Sequence, residues 1–149
     1  MPKILITGGA GYIGTALTSL ALKKGFKVIA VDNLKHSKTQ LIKKFLKNKN
    51  YAFSKCDINN LYKFEKILKK EKVNIIVHLA GIVGDPASKL QKKLTRITNV
   101  VSSKKIFKLS EKYNVDKFIF SSTCSNYGIV KSKSLANENT KLKPLSLYA

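Results

Sequence analysis

The chain has 149 residues, of which 44% are hydrophobic, and its formal net charge at pH 7 is +21. This length and hydrophobic content are typical of one globular domain, and no apolar run approaches the roughly 20 residues that a membrane-spanning helix needs. The first residues lack the layout of a secretory signal peptide, so we expect a cytoplasmic protein with no membrane partner.

The chain begins with a short apolar strand pattern that enters a glycine-rich turn. The turn fits the pattern Gly9-x-Gly11-x-x-Gly14, and apolar residues at helical spacing follow it. Glycine permits the tight turn, the close approach of the backbone to a pyrophosphate, and the close packing of helix on strand. The pyrophosphate would bind N–H groups at the positive end of the helix dipole. This order of elements predicts a dinucleotide site. The predicted inner face of the helix consists of Ile13, Ala16, Leu17, Leu20 and Ala21.

The second predicted strand, residues 27–31, leads directly to Asp32. A carboxylate at this place, about 20 residues after the glycine turn, accepts hydrogen bonds from the adenine ribose in an NAD-binding unit. A 2′-phosphate would meet this carboxylate, so Asp32 favours NAD over NADP, although Lys35 and Lys38 could soften the repulsion. The alternative interpretation is a tight turn with a helix-capping aspartate.

Helix and strand signals alternate along the rest of the chain. The predicted helices cover residues 39–47, 60–70 and 90–113, and the predicted strands cover residues 51–53, 73–80 and 117–120. A polar, irregular run over residues 128–144 predicts a surface loop before a helix that begins near Leu145. The pattern predicts an α/β fold: one Rossmann-type domain over residues 1–149, with a doubly wound parallel sheet of strand order 3-2-1-4-5 that stops after about five strands.

The cysteines and the basic residues indicate no further site. Cys56 and Cys124 have no CxxC spacing and no histidine cluster nearby, which argues against a disulfide framework and against a metal site. We expect two small buried side chains. Arg96 is the only arginine among 29 basic residues, and arginine is the residue that recognises phosphates and bases bidentately. A basic nucleic-acid-binding domain, with steeply salt-dependent binding, therefore remains only an alternative.

With these motifs the chain resembles the extended short-chain dehydrogenase/reductase family, which contains the NAD-dependent sugar epimerases and dehydratases. The motifs that carry the resemblance are residues 7–14, Asp32-Asn33-Leu34, Asp57-Ile58, His78-Leu79-Ala80-Gly81, Asn99, residues 120–128 and Pro144-Leu145-Ser146-Leu147-Tyr148. They occur in the family's order and spacing across essentially the whole chain.

The resemblance implies an NAD site with the pyrophosphate on the glycine turn, the ribose on Asp32, and the adenine on Asp57 and Ile58. The implied cofactor-binding residues are Gly8, Gly11, Tyr12, Ile13, Gly14, Asp32, Asn33, Asp57, Ile58, Leu79, Ala80, Gly81 and Asn99. A helix N-cap is the alternative role for Asp57, and a capping or surface position is the alternative for Asn99. His78 precedes a backbone wall of the cofactor site and receives no catalytic role.

The resemblance also implies the chemistry of the reaction. Thr123 takes the position of the family's hydroxyl residue and Tyr148 that of its base, which removes a proton from a substrate hydroxyl while the carbon beneath passes hydride to the nicotinamide. A lysine four residues after the tyrosine favours the phenolate in the family, and the sequence ends at Ala149 before that position. We therefore expect the N-terminal half of a longer, homodimeric enzyme, without the sugar-nucleotide-binding part and inactive by itself.

The residues after Thr123 bear on the choice of reaction. Family members that eliminate water from the sugar follow the threonine with Asp-Glu, whereas Cys124 and Ser125 stand here. The resemblance therefore favours an epimerase or reductase of a nucleotide sugar over a 4,6-dehydratase. A non-catalytic NAD-binding regulatory module remains the first alternative, because a fold does not fix a function.

Overall fold

The computed structural model describes residues 1–129 and 135–149. Its centre is a five-stranded sheet in the order β3-β2-β1-β4-β5, and all neighbouring strands are parallel. The strands are β1 (Lys3–Thr7), β2 (Lys27–Asp32), β3 (Tyr51–Lys55), β4 (Ile75–His78) and β5 (Lys117–Phe120). The predicted Rossmann-type architecture and strand order are confirmed.

Helices connect the strands, as parallel pairing requires. They are α1 (Tyr12–Lys23), α2 (Gln40–Lys43), α3 (Leu61–Glu71), α4 (Asp85–Leu90), α5 (Lys92–Thr95), a π-helical stretch (Arg96–Ser102) and α6 (Ser103–Lys112). A 3₁₀ turn, Cys124–Tyr127, follows β5. No helix among these described residues is long and apolar enough to cross a membrane.

The core lies on both faces of the sheet, because alternate residues of each strand point to opposite sides. On one face Ile4 and Ile6 of β1 pack with residues of α1 and α2. On the other face Leu5 packs with Phe64 of α3 and Ile106 of α6. The three central strands are therefore covered on both sides, and their side chains are almost all buried.

The inner face of α1 differs from the predicted one. Ile13, Ala16 and Leu20 are exposed, and the buried residues of α1 are Gly14, Thr15, Thr18 and Ala21. The helix lies so close to the glycine turn that a Cβ on Gly14 would collide with the Gly8 carbonyl oxygen. Close approach selects small side chains for the inner face and turns the larger apolar ones outward.

Three predicted elements have other bounds. The helix predicted over residues 39–47 is only the four residues of α2, and turns follow it. The strand predicted over residues 73–80 is shorter and covers Ile75–His78. The Leu79 N–H still donates to the Thr7 backbone carbonyl, but the Thr7 hydroxyl also accepts from the N–H groups of Leu79 and Ala80, so a side chain takes over from the backbone ladder after His78. The helix predicted over residues 90–113 begins earlier, at Asp85, breaks at Gln91 and includes the π-helical stretch.

The chain after β5 contains no helix near Leu145 in the described residues, so that prediction is wrong. Only five residues follow Pro144 in this sequence, fewer than a helix needs to compensate for the cost of its first turn. Of the loop predicted over residues 128–144, residues 130–134 lie outside the described residues. The described remainder forms turns and irregular backbone.

Candidate functional site

A cavity of about 480 Å³ opens at the carboxyl ends of the four strands β1 to β4. It lies where the strand order reverses on either side of β1, which is the place where open parallel sheets bind ligands. Twelve of the thirteen residues predicted to bind the cofactor line this cavity, and Asn99 is the exception. The structure thus brings together side chains that the sequence spreads from Gly8 to Gly81.

The glycine turn forms one wall of the cavity and has no room for larger residues. Gly8 has a φ of +68°, and a Cβ there would lie 3.0 Å from the backbone nitrogen of Ala80. A Cβ on Gly9 would lie 2.6 Å from the Ala30 side chain. The turn is therefore in direct contact with β2 on one side and with the segment after β4 on the other.

The start of α1 presents N–H groups to the cavity. The N–H groups of Tyr12, Ile13 and Gly14 open the helix, and no backbone acceptor is found for them in the described part of the chain. The Gly11 N–H donates a hydrogen bond to the Gly8 carbonyl oxygen at 3.0 Å, and this bond closes the turn. Unpaired N–H groups at the positive end of a helix dipole bind the oxygens of a pyrophosphate. This cradle fits a dinucleotide.

Asp32 is buried at the end of β2, where it fixes the turn as well as facing the cavity. Its Oδ2 accepts from the Ala10 N–H at 3.1 Å and from the Ser37 hydroxyl at 3.4 Å, and its Oδ1 accepts from the Leu34 N–H at 2.8 Å. A carboxylate oxygen can accept more than one hydrogen bond. Asp32 can therefore hold the glycine turn and still accept from a ribose hydroxyl.

Asp57 stands on the far side of the cavity in a small polar cluster. Its Oδ2 accepts from the Asn33 amide at 3.1 Å and pairs with the Lys35 ammonium at 3.3 Å, and its Oδ1 accepts from the Asn59 N–H at 2.9 Å. Burial raises the pKa of Asp57, but the hydrogen bonds and the nearby ammonium outweigh burial and hold that pKa below its usual value. The N-cap of α3 is Asn60, whose side chain accepts from the Lys63 N–H, so Asp57 is not a helix cap.

His78 is a buried connector and not a group facing the cavity. Its Nδ1 lies 2.9 Å from the Thr7 hydroxyl and its Nε2 lies 2.9 Å from the Ser103 hydroxyl. Because the Thr7 oxygen accepts from two backbone N–H groups, its proton points to Nδ1, and these partners assign the ring proton to Nε2. Burial lowers the pKa of His78 to about 4, so the ring is neutral. The ring thus links the end of β1 to the start of α6.

Asn99 braces a loop of the site. Its Oδ1 accepts from the Ile82 N–H at 2.8 Å and its Nδ2 donates to the Ile82 carbonyl at 2.9 Å. Asn99 lies outside the residues that line the cavity. The geometry fits the expected propping of the site and not a surface or capping asparagine.

Thr123 and Tyr148, the residues predicted to act on the substrate, lie outside the cavity lining. The Thr123 hydroxyl accepts from the Ser125 N–H at 3.2 Å and so caps the 3₁₀ turn. Tyr148 is half-buried. A backbone hydrogen bond from the Lys143 N–H to the Asn126 carbonyl, 2.9 Å long, joins the segment before Tyr148 to the turn after Thr123.

The cavity also contains residues that the sequence analysis missed. Ser37 donates to Asp32, and Asn59 and Thr98 bond to each other at 3.0 Å. Other lining residues come from the start of the long helical region, namely Gln91 and Leu94. The sequence signal for Asn59 was its position two residues after Asp57, but its partners on the π-helical stretch are 39 and 43 positions away.

The two cysteines differ in exposure, and the lysine pairs lie on the surface. Cys56 is buried, as expected, whereas Cys124 is exposed and contradicts the prediction, because it lies in the 3₁₀ turn beyond the sheet. No cluster of three or more metal-ligating side chains occurs among the described residues. The lysine pairs in or next to the helices are exposed to solvent, namely residues 23–24, 43–44, 69–70, 92–93 and 104–105.

Comparisons with known proteins agree with this geometry. The model of the "NAD dependent epimerase/dehydratase family" matches residues 4–149. Protein CapI of Staphylococcus aureus is 32% identical over an alignment of 151 positions, and this alignment covers 99% of this chain and 45% of that protein. The structure of the UDP-Glc/GlcNAc 4-epimerase of Campylobacter jejuni superposes with a TM-score of 0.93 at 28% identity, over 99% of this chain and 45% of that one.

A third match was solved with its cofactor. The Thermus thermophilus UDP-glucose 4-epimerase in complex with NAD superposes with a TM-score of 0.88 at 26% identity, over 98% of this chain and 46% of that one. The chain therefore spans a little under half the length of these relatives.

Proposed function

This chain belongs to the NAD dependent epimerase/dehydratase family, and from that premise we propose that it forms the NAD-binding half of a nucleotide-sugar 4-epimerase. One observation carries the proposal. The glycine turn, Asp32 and Asp57 converge on one cavity at the switch point of the sheet. At the glycine turn, N–H groups that have no backbone acceptor among the described residues suit a pyrophosphate.

Each part of the chain has a stated task in this proposal. The N–H groups of Tyr12, Ile13 and Gly14 bind the pyrophosphate, Asp32 accepts from the adenine ribose, and Asp57 accepts from the adenine amine. The wall after β4 orients the other end of the cofactor. NAD supplies a hydride acceptor and donor when it is bound.

The preference for NAD over NADP rests on Asp32. A 2′-phosphate would meet its buried carboxylate at close range. Lys35, which could soften that repulsion, is paired with Asp57 instead. Lys35 is therefore less able to soften the repulsion between Asp32 and a 2′-phosphate.

The substrate and the reaction belong to the longer protein. We propose that the Tyr148 phenolate takes the proton of a sugar hydroxyl and that the Thr123 hydroxyl holds the same oxygen. Epimerisation is favoured because two of the similar structures are UDP-sugar 4-epimerases, and because Cys124 and Ser125 supply no carboxylate for the elimination that a dehydratase performs. A reductase of a nucleotide sugar is the second candidate on the same ground. A homodimeric state and a cytoplasmic location stay predictions.

Calorimetric titration of the 149-residue chain with NAD, and separately with NADP, tests the proposal at near-physiological salt. We expect saturable one-site binding of NAD and weaker binding of NADP. Asp32→Asn should weaken NAD binding and narrow the difference between the two nucleotides. Asp116→Asn is the matched control, because Asp116 is exposed and precedes β5 at the opposite end of the sheet.

Two results would contradict the proposal. A folded chain that gives no heat with either nucleotide lacks the cofactor site. Equal affinity for NAD in the unaltered chain and in Asp32→Asn would show that the Asp32 carboxylate does not bind the cofactor. If the folded chain ignored NAD but bound nucleic acid with steep salt dependence, the basic-domain alternative would take its place.

A further inference from the structure

The π-helical stretch and the first turn of α6 bury hydroxyl side chains where a helix on a sheet ordinarily buries apolar ones. Thr98, Ser102 and Ser103 are at most 8% exposed. Ile97 and Val101, by contrast, are 37% and 43% exposed. Buried hydroxyls are costly without hydrogen-bond partners, so the groups that they contact show what this face of the helix serves.

Two of these hydroxyls bind one side chain, the amide of Asn59. The Asn59 Nδ2 donates to the Thr98 hydroxyl oxygen at 3.0 Å, and the Ser102 hydroxyl donates to the Asn59 Oδ1 at 2.7 Å. One end of the amide thus acts as donor and the other as acceptor, so both its position and its flip state are fixed. A single hydrogen bond would leave the amide free to rotate.

Asn59 passes this constraint to the wall of the cavity. Its backbone N–H donates to the Oδ1 of Asp57, and Asn59 itself lines the cavity. Ile58 lies between these two residues and is 5% exposed. The Asn59 side chain therefore ties the loop of residues 57–59 to the helix, and the Asn59 N–H holds the Asp57 carboxylate within that loop.

The same stretch of helix reaches the opposite wall as well. Asn99 holds the backbone of Ile82, and Ser103 binds the ring of His78, which is next to the wall after β4. The two walls of the cavity are thus fixed to one element over residues 98–103. The rigidity of that element sets where the walls stand relative to each other.

We propose that Thr98 and Ser102 are positioning residues of the cofactor site, which act through Asn59 to hold Asp57 and Ile58 in place for the adenine. The inference rests on the proposed function, since it presumes that the cavity binds NAD. It adds the residues that orient the adenine wall and the route by which they do so. Ser102 itself does not line the cavity.

The test is a double-mutant cycle read by NAD affinity of the full 149-residue chain. Ser102→Ala and Asn59→Ala are each expected to weaken NAD binding by about tenfold, the upper range for a buried hydrogen bond. The two changes together should weaken it no further than Asn59→Ala alone, because Ser102 acts through Asn59. Thr98→Val should also weaken NAD binding. Thr98→Ser keeps the hydroxyl and should bind NAD as the unaltered chain does.

Ser110→Ala is the matched control on the same face of the same helix. Ser110 is 3% exposed, and its hydroxyl donates to the Phe107 carbonyl within the helix, away from the cavity. This change should lower thermal stability slightly and leave NAD affinity as it is. If Ser102→Ala does not fold, Asn59→Ala and the Thr98 pair carry the test, because Asn59→Ala removes both contacts of the amide and Thr98→Val removes one of them.

The possible outcomes separate this inference from the proposed function. If the unaltered chain binds NAD and Ser102→Ala binds it equally well, the positioning role is wrong while the function stands. Additive losses in the double variant would also overturn the role, because they show a general effect of destabilisation. If the unaltered folded chain does not bind NAD, the proposed function falls and this inference falls with it.

Discussion

The cofactor side of the molecule and the segment after β5 differ in how tightly they are built. Asp32 is 8% exposed and accepts three hydrogen bonds, and Leu5 and Ile76 in the central strands are fully buried. In β5, by contrast, Ile119 and Phe120 are 51% and 54% exposed. The residues around the proposed dinucleotide site are thus firmly packed, while Thr123, which we propose to act on a sugar, follows a lightly covered edge strand. We therefore expect experiments on this chain to report on cofactor binding.

The largest effect on this contrast is expected from a substitution that widens the glycine turn. Gly14→Ala places a Cβ against the Gly8 carbonyl oxygen, so the turn must open and the N–H cradle is lost. We expect NAD affinity to fall at least about 100-fold, corresponding to about 3 kcal/mol. Calorimetric titration measures this loss. Gly25→Ala is the control: its φ of +83° makes an alanine there strained and should lower stability, but nothing lies within 4 Å of its Cβ position, so NAD affinity of the folded variant should stay unchanged. Unaltered affinity in Gly14→Ala would contradict the assigned cradle.

Matched truncations of isoleucine compare the central and the edge strand directly. Ile76→Ala removes a side chain with no exposed surface and should lower the free energy of unfolding by about 2–5 kcal/mol. Ile119→Ala, at 51% exposure, should lower it by less than about 1 kcal/mol. Urea denaturation followed by circular dichroism gives both values. Similar losses at the two sites would show that the edge strand is covered in solution.

The buried His78 should make the stability of the central sheet dependent on pH. Burial lowers the pKa of His78 from 6.5 to about 4 in the folded chain, so between these values only the unfolded chain takes up the proton. Stability is therefore full above about pH 6.5 and falls by about 3 kcal/mol as the pH drops to about 4. Urea midpoints across this range test the prediction.

The two histidines of the chain provide the control for that titration. His78→Asn should flatten the pH dependence between pH 6.5 and 4, because the buried titrating ring is gone. His36→Asn should leave it intact, since His36 is exposed on the loop after β2. A steep pH dependence that persists in His78→Asn would assign it to another group.

The smallest expected effect concerns the ion pair at the adenine wall. Asp57→Asn removes the charge that pairs with Lys35, whose side chain is 59% exposed, so the loss of stability at pH 7 should stay below about 1 kcal/mol. The pKa of Asp57 is lowered in the folded chain. Its contribution is therefore present above pH 3.8, its ordinary value, and disappears as the pH falls through the lowered pKa. Urea midpoints at pH 7 and at pH 3 should differ less in Asp57→Asn than in the unaltered chain. NAD affinity should decrease in the same variant.

The sequence predicted the architecture well because its signals are local. A glycine turn between an apolar strand and a helix, followed by an acid at the next strand end, needs no knowledge of distant contacts. Twelve of the thirteen predicted cofactor residues line one cavity for the same reason. Each of them lies at or after the carboxyl end of a strand, and parallel strands bring these ends to one edge.

The prediction failed where packing decides between faces of a helix. Leu20 and Ile97 have the spacing of core residues and are exposed, whereas Thr18 and Thr98 are buried. Hydrophobic periodicity could not reveal this, because the helices pack on a glycine turn and on polar loops of the site. Small side chains and hydroxyls fit there, and large apolar ones do not.

Order along the chain therefore determined the fold, the strand order and the dinucleotide site. The tertiary structure alone decided which side chains hold that site in place. Asn59 meets Thr98 and Ser102 only after β3 has paired with β2 and the long helical region has packed against the sheet. A hydrogen bond between residues about 40 positions apart is set by that packing, and no local pattern encodes it.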